Sequence, residues 1–405
     1  MTTDLPSADR LLEEAAWPKP RPLRRGILPL LALLTAAGAV AFLLLLNGAN
    51  PVRAWQIFLV NFLFWSGVAV AGVVLAAIFQ VTNARWARPL KRLAEACAAY
   101  LPVSFLLFLC IWFGRRSLFS WIDQPPAAIA AWLNSSFFFL REAVGLLALY
   151  GMSLLFFYRS VRQDSRALAH RQAGDSPRTG LDAGFLHKLG VGLLILYAFV
   201  YSLVALDFVM SLDPAWSSTL FGAYYFMGNL YLGLAAVTVF TLYARWRYQL
   251  EKTIDSRILH NLGKLLFAFS LLWTYLFWSQ YLVIWYGNLP HETGFLILRI
   301  AHEPWSSLAV VVLTMNFLVP FLVLLPRSRK ENPGTLLGVA LVILTGMWLE
   351  RYLLVAPSLA AAPEIVLGGA EALITLGFLA SFLLAYLTVL SKVPILPVGD
   401  PLFWR

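Results

Sequence analysis

The sequence predicts an all-α integral membrane protein with ten transmembrane helices. Hydrophobic residues make up 60% of the 405 residues and charged residues only 13%, whereas soluble proteins carry roughly 25% charged residues. The apolar residues are concentrated in ten runs, each long enough for the roughly 20 residues that a membrane-spanning helix needs. Lys and Arg fall mainly in alternate connections between these runs. A polytopic membrane protein accounts for all three observations.

The ten runs follow one another with connections too short for a separate soluble domain. We therefore divide the chain into a tail at 1–26, a single transmembrane domain at 27–390 and a second tail at 391–405. The first run is too long for a signal-peptide core and lacks a small-residue cleavage site, so we expect no removed segment. The predicted spans are 27–46, 54–80, 93–113, 135–158, 184–210, 220–244, 258–287, 303–325, 335–355 and 363–390.

The distribution of basic residues predicts the orientation. If the N-terminus is cytoplasmic, 24 of the 31 Lys and Arg residues lie in the two tails, in the four alternate connections or, as Lys188 does, in the first two turns of the span that follows. Cytoplasmic loops carry an excess of these residues, so both termini are predicted to be cytoplasmic. The net charge of +10 then follows from topology and contact with anionic lipid. Nucleic-acid binding is not needed to explain it.

Similar residues close alternate spans and suggest an internal repeat. Ala84-Arg85-Trp86 ends the second span and Ala244-Arg245-Trp246 ends the sixth, while Arg159-Ser160 and Arg327-Ser328 end the fourth and eighth. This spacing predicts two four-helix bundles, spans 2–5 and 6–9, that face the same way, with spans 1 and 10 peripheral. Arg-Trp at a cytoplasmic helix end is also a common membrane anchor, which is the alternative explanation.

The metal-ligating residues are too few and too scattered for a redox centre. Cys97 and Cys110 lack the clustered spacing that an iron–sulfur or zinc site requires. Of the histidines, only His187 and His260 could face each other at one depth, as a bis-histidine haem demands. We therefore expect this chain to bind no metal, haem or iron–sulfur cluster itself. The five histidines are His170, His187, His260, His291 and His302.

Charged residues inside or beside the spans form two groups at different depths. Such residues usually face a bundle interior or a water-filled cavity, and they predict a proton path made of two half-channels. The alternative is structural ion pairing, of Arg141 with Asp207 or of Glu95 with Lys264. Glu371 fits neither group. The cytoplasmic group is Glu95, His260 and Lys264, and the opposite group is Arg141, Glu142 and Asp207.

The segment Trp278–Thr293 ends an apolar run with aromatic, amide and acidic side chains. Tyr and Trp favour the membrane boundary, so a plain membrane anchor is one interpretation. Polar side chains a turn further in need internal partners, which favours either a quinone contact or a partner-docking surface. The residues concerned are Gln280, Tyr281, Trp285, Tyr286, His291 and Glu292.

A second informative segment, Ser211–Phe226, connects spans 5 and 6. Its Asp213-Pro214 pair predicts an extended or turn geometry. Trp216 follows, and Ser or Thr at 217–219 can cap the next helix. By itself this is a tight, capped turn.

Together the two segments resemble the ActF subunits of bacterial alternative complex III, a quinol:electron-acceptor oxidoreductase. More widely, the chain resembles the NrfD/PsrC family of ten-span membrane subunits. The resemblance also covers Asn61–Gln80 with Ala84-Arg85-Trp86, and Leu262–Phe267. Members of the family often have His after the Asp-Pro pair and Glu-Glu after the Leu-Pro pair. This chain has Ala215 and His291-Glu292 at those places.

The resemblance implies a multi-pass subunit of the bacterial inner membrane beside a homologous ActC-type subunit. Iron–sulfur and cytochrome c subunits would carry the clusters and haem c, and menaquinone or another quinone would be the substrate of the complex. This chain would be a non-catalytic companion that supports assembly and carries protons. One alternative is a direct quinone- or quinol-binding subunit. Another is a secondary solute transporter, although no broken helix flanked by Gly and Pro occurs at mid-membrane in matching halves.

Overall fold

Ten helices in the structure are long and apolar enough to cross a membrane, which confirms the predicted number of spans. The structure is a computed structural model that describes residues 26–48, 50–123, 127–172, 183–360 and 364–403. Within these ranges every regular element is helical. We number the spans 1 to 10 in chain order: Ile27–Leu46, Pro51–Val81, Arg85–Leu118, Ser135–Ala167, Gly184–Leu212, Phe221–Tyr248, Ser256–Gly287, Trp305–Leu324, Pro333–Leu359 and Gly369–Leu390.

An even number of crossings defines two sides of the molecule. A chain that crosses with all ten helices begins and ends on the same side. We call the side of residues 26 and 403 the terminal side, and the other the opposite side. Of the predicted tail 1–26, only Gly26 lies within the described residues.

Span 3 begins earlier than predicted because Arg88, Lys91 and Arg92 near its start are buried. The helix Arg88–Glu95 and a short 3₁₀ turn, Ala96–Tyr100, precede the helix Leu101–Leu118. In sequence the charges before residue 93 predicted a connection. In the structure these three charges are paired and lie inside the fold, whereas Arg85 is exposed.

Span 10 begins later than predicted, at Gly369 rather than at residue 363. Glu371 sets this start, because its Oε2 accepts a hydrogen bond of 2.9 Å from the backbone N–H of Gly368. The other carboxylate oxygen, Oε1, accepts from Arg53 Nε at 3.1 Å. The carboxylate that sequence reasoning left unexplained is therefore a helix cap and an ion-pair partner.

The connection between spans 7 and 8 contains a further helix, Pro290–Ile300, that sequence reasoning did not predict. Another short helix, Arg327–Glu331, joins spans 8 and 9. Span 8 itself contains one π-helical turn, Thr314–Leu318, of a kind frequent at functional sites. The side-chain amide of Asn316 in this turn is buried and has no hydrogen-bond partner among the residues that the structure describes.

Span 2 is the most enclosed helix and organises the packing. It contacts spans 1, 3, 4, 5, 6, 9 and 10. Spans 1 and 10 pack on each other along their length, and they meet at Gly38 and Gly377. A Cβ atom on Gly38 would lie only 2.6 Å from the Gly377 Cα, so only glycine permits this approach.

The segment after span 10 packs against the helices. Ile395, Leu396 and Val398 are buried, and the side chain of Asp400 is enclosed among basic residues of span 3. The backbone N–H of Gly399 donates to Asp164 Oδ1 in span 4 at 2.8 Å. Residues 395–400 of the predicted C-terminal tail are thus part of the folded core.

Candidate functional site

Arg141 and Asp207 form a buried ion pair on the opposite side of spans 4 and 5. Arg141 Nε and Nη2 donate to the two carboxylate oxygens of Asp207, both at 2.6 Å. The guanidinium also donates to the Trp132 carbonyl at 2.7 Å and stacks over the Trp132 ring. The ion pair of Arg141 with Asp207, which the sequence offered as the structural alternative, is therefore present. Its two parallel hydrogen bonds fix the orientation of the guanidinium.

Glu142 adds a second carboxylate to this pair. Its side chain is only 1% exposed, and neither carboxylate oxygen has a hydrogen-bond donor among the described residues. The Asp207 carboxylate lies close enough to act on the charge of Glu142, and two neighbouring buried acids beside one cation favour a proton on one of them. One guanidinium, that of Arg141, therefore faces two buried acids, and the cluster can take up a proton.

A second buried acid–base pair lies in span 9. Glu350 Oε2 accepts from Arg351 Nη1 at 2.6 Å, and the Tyr224 hydroxyl donates to Glu350 Oε1. Arg351 also donates to Asn229 Oδ1 at 3.3 Å and stacks over the ring of Tyr225. Both residues lie within the predicted span 335–355, and neither is among the site residues predicted from the sequence. The available signal was an acid and a base side by side within an apolar run.

Buried tyrosines occupy the space between the two acid clusters. Tyr150 and Ser104 share a hydrogen bond of 3.0 Å, and the ring of Tyr201 stacks at 6.4 Å from that of Tyr225. Tyr197 donates to the backbone carbonyl of Phe226 at 2.6 Å. The hydroxyls of Tyr150, Tyr197 and Tyr201 come from the middle of spans 4 and 5, where polar groups that can pass a proton are rare. The hydroxyl of Tyr225 comes from the opposite-side end of span 6.

A third cluster lies on the terminal side, around Glu95. Glu95 Oε2 accepts from Arg92 Nη1 at 2.5 Å, and Arg92 also binds Asp164. Arg88 and Lys91 bind Asp400, which lies after span 10. Three cations and three carboxylates balance in this cluster, and every side chain in it is at most 6% exposed.

Of the predicted cytoplasmic group, the structure places His260 beside Lys264 and Glu95 elsewhere. His260 is half-buried and Lys264 is exposed on span 7, and the charged neighbours of His260 are Lys264, Arg327, Glu331 and Lys330. Glu95 instead pairs with Arg92 of its own helix. Glu95 and Lys264 therefore belong to separate surroundings.

The Ser211–Phe226 segment packs against the Pro290–Ile300 helix, which begins within the Trp278–Thr293 segment and extends beyond it. The Trp216 ring stacks on Phe295 of the Pro290–Ile300 helix, with 3.7 Å between ring centroids. The Arg299 guanidinium lies over the Phe295 ring. It also donates hydrogen bonds to the Leu353 and Leu354 carbonyls of span 9 at 3.0 and 2.8 Å. The turn at 213–216, where Asp213 and Pro214 are half-buried, is thereby joined to the end of span 9.

Arg299 is fully enclosed at this junction. Burial lowers its pKa to about 9, and the nearby Asp213 carboxylate opposes the shift. The guanidinium is therefore charged at neutral pH. It is stabilised there by backbone carbonyls, by Ser358 Oγ at 2.8 Å and by the Phe295 ring.

The residues of the Trp278–Thr293 segment point in different directions. Gln280 is buried and lines a cavity together with Tyr281, whereas Trp285 and Tyr286 are 61% and 89% exposed. Glu292 is half-buried in the first turn of the Pro290–Ile300 helix. The side chain of His291 lies outside the described residues. One part of the segment therefore faces the helices and the other faces outward.

Metal ligands do not cluster in the part of the chain that the structure describes. No group of three or more His, Cys, Asp or Glu side chains there could hold a metal ion. Cys97 is buried and Cys110 exposed, and both are free thiols.

The chain was compared with known proteins. Comparison with protein-family models finds no match, and comparison with curated proteins finds no matching sequence.

Proposed function

We propose that the chain is an integral subunit of a quinol-oxidising respiratory complex of the alternative complex III type in the bacterial inner membrane. It supports assembly and carries protons, and it has no redox cofactor of its own. The resemblance of the segments 211–226 and 278–293 to ActF subunits supports the proposal that the chain belongs to such a complex. An ActC-type subunit, iron–sulfur and cytochrome c subunits are the proposed partners, and menaquinone or another quinone is the proposed substrate.

We propose two four-helix bundles, spans 2–5 and 6–9, with spans 1 and 10 outside and both termini cytoplasmic. Contacts of span 2 with spans 3 and 5, and of span 6 with spans 7 and 9, support these groupings. Spans 1 and 10 contact each other most extensively. The distribution of Lys and Arg supports the orientation.

The observation that carries the proton role is the excess carboxylate beside Arg141. Two buried acids, Glu142 and Asp207, share one guanidinium, so the cluster can alternate between one bound proton and none. Tyr150 and Ser104 lie deeper on the same bundle, and Tyr100 shares a hydrogen bond of 3.3 Å with Ser381 further toward the terminal side. These hydroxyls lead toward the cluster around Glu95.

Asp207→Asn tests this role. The substitution removes one of the two acids but keeps a side-chain oxygen that can accept from Arg141 and leaves Glu142 nearby, so the complex should assemble. We expect the number of protons moved per electron in liposomes to fall, while quinol oxidation continues. Glu371→Gln is the matched control, since Glu371 is a buried carboxylate outside the cluster. If the number of protons per electron is unchanged in Asp207→Asn and the complex is intact, the Arg141–Asp207 pair has only a structural role.

A second candidate function is a direct quinol site, which Gln280 and Tyr281 at the cavity support. The outward aromatics support partner docking instead, and we favour docking because large exposed rings dominate packing contacts. The docking proposal requires Trp285→Ala with Tyr286→Ala to release partner subunits. It also requires Gln280→Leu with Tyr281→Phe to leave the apparent quinol affinity nearly unchanged. A large loss of quinol affinity in the latter pair, with assembly intact, favours the quinol site.

A further inference from the structure

A partly open cavity lies beside Glu350 in the opposite half of the molecule. It is lined by spans 6, 7, 8 and 9 and by the Pro290–Ile300 helix, and its volume is about 70 Å³. Small-molecule sites usually measure roughly 300–1,000 Å³, whereas a water molecule needs only about 10–15 Å³ of such space. The size suits a few water molecules.

Polar groups line this cavity among aromatic walls. Trp273 is 2% exposed, and its indole N–H, which neighbours Tyr224, makes no hydrogen bond of good geometry among the described residues. Gln280, Tyr281, Tyr224 and Glu350 also line the cavity. A buried water needs two to four such partners, and these groups supply both donors and acceptors.

From this arrangement we propose that the cavity is a water-filled inlet through which Glu350 exchanges protons with the opposite side. A hydrated proton is transferred to the Tyr224 oxygen while the Tyr224 hydroxyl proton passes to Glu350 Oε1. The tyrosine is regenerated, the carboxylate becomes a carboxylic acid, and Arg351 keeps its contact at Oε2. Glu350 becomes a second proton-holding site, so the inference rests on, and deepens, the proposed proton-carrying function.

The charges around Glu350 allow this exchange. A proton on Glu350 removes its attraction to Arg351, but the guanidinium keeps Asn229 and the Tyr225 ring as partners. The cavity-lining residues of span 8 are uncharged, and span 2 presents Asn61 toward span 9. The titratable groups near Glu350 are Arg351 on its own span, Tyr224 and Tyr225 of span 6, Tyr281 of span 7 and Arg299 of the Pro290–Ile300 helix.

Infrared difference spectroscopy of the complete chain, in its complex, tests the inlet. Spectra recorded between acid and neutral pH should contain a carboxyl band that is absent in Glu350→Gln. We expect this band to exchange in D₂O, and Ala309→Leu, which fills the cavity, to slow the exchange by at least about tenfold. Val311→Leu is the control on the same span, because Val311 is exposed on the outer face. Its exchange rate should equal that of the unaltered protein.

Three results would overturn the inlet. They are a Glu350 band that appears at no pH, equal exchange rates in Ala309→Leu and Val311→Leu, and a quinone that copurifies stoichiometrically and is lost in Gln280→Leu. Should Glu350→Gln fail to assemble, Tyr224→Phe identifies the band instead, because losing the hydroxyl donor shifts it. The exchange is measured without electron transfer. An unchanged proton-to-electron ratio in Asp207→Asn would therefore refute the proposed function and leave the inlet standing.

Discussion

At the scale of single residues, one cation holds the acids of the opposite side together. Arg141 is the only base in direct contact with Asp207 among the described residues, and Glu142 lies beside the same pair. Buried carboxylates left without a cation are costly, since neither water nor a donor compensates their charge. The stability of this region should therefore depend on Arg141 more than on either acid.

Arg141→Met should destabilise the protein by about 3–5 kcal/mol, the usual cost of breaking a buried ion pair. Arg141→Lys keeps the charge but loses the two parallel bonds, so its cost should be smaller. The measurement is the midpoint of thermal unfolding of the purified complex in detergent. Equal midpoints for Arg141→Met and the unaltered protein would mean that protonation or hydration stabilises the two buried acids without Arg141.

At the scale of helices, spans 1 and 10 are held by a close approach of two glycines. Without side chains at Gly38 and Gly377, the backbones come near enough for extensive dispersion contacts. Burial of apolar area cannot by itself hold the two helices together in lipid, because lipid tails are as apolar as the helix surfaces. The pair of spans therefore depends on shape at one crossing point.

Gly377→Ala should weaken this helix pair. Its new Cβ would lie 2.8 Å from the Gly38 Cα, and such overpacking costs about 1–3 kcal/mol. Gly151→Ala is the matched control, since no heavy atom lies within 4 Å of its new Cβ. Crosslinking between cysteines introduced on spans 1 and 10 reports the pairing. Equal crosslinking in the two variants would show that the helices shift without loss.

The helices were predictable from sequence where length and apolarity decide, and less so where charges are buried. The predicted limit 135 agrees with the start of span 4, and the predicted limit 287 agrees with the end of span 7. The start of span 3 was missed because Arg88, Lys91 and Arg92 have partners that only the fold supplies. Glu350 was missed for the same reason, since Tyr224 lies 126 residues away in sequence.

At the scale of the whole molecule, the terminal side is closed by a neutral cluster that joins distant parts of the chain. Arg88 and Lys91 of span 3 are at most 1% exposed, and both bind Asp400. Gln80 of span 2 accepts hydrogen bonds from the same two cations at 2.8 and 2.7 Å. The fold therefore depends on a carboxylate outside the spans.

Asp400→Ala should lower the free energy of unfolding by about 3–5 kcal/mol, because it leaves two buried cations short of a carboxylate. Asp123→Ala is the comparison, since Asp123 pairs with Arg116 where both side chains are well exposed. That surface pair should contribute no more than about 1 kcal/mol. Denaturation of the complex in detergent measures both. A loss no larger for Asp400→Ala than for Asp123→Ala would mean that Gln80 and Glu95 compensate the cations.

The link between Asp400 and span 3 also sets an order of events during biosynthesis. Asp400 follows Arg88 by 312 residues, which a ribosome making about 5–20 residues per second needs roughly 15 to 60 s to add. Throughout that time Arg88 and Lys91 lack their final carboxylate. Because a buried cation without a counter-charge is costly, we expect both side chains to stay hydrated until Asp400 is available. The terminal side of this protein can therefore close only after nearly all of its helices have been inserted.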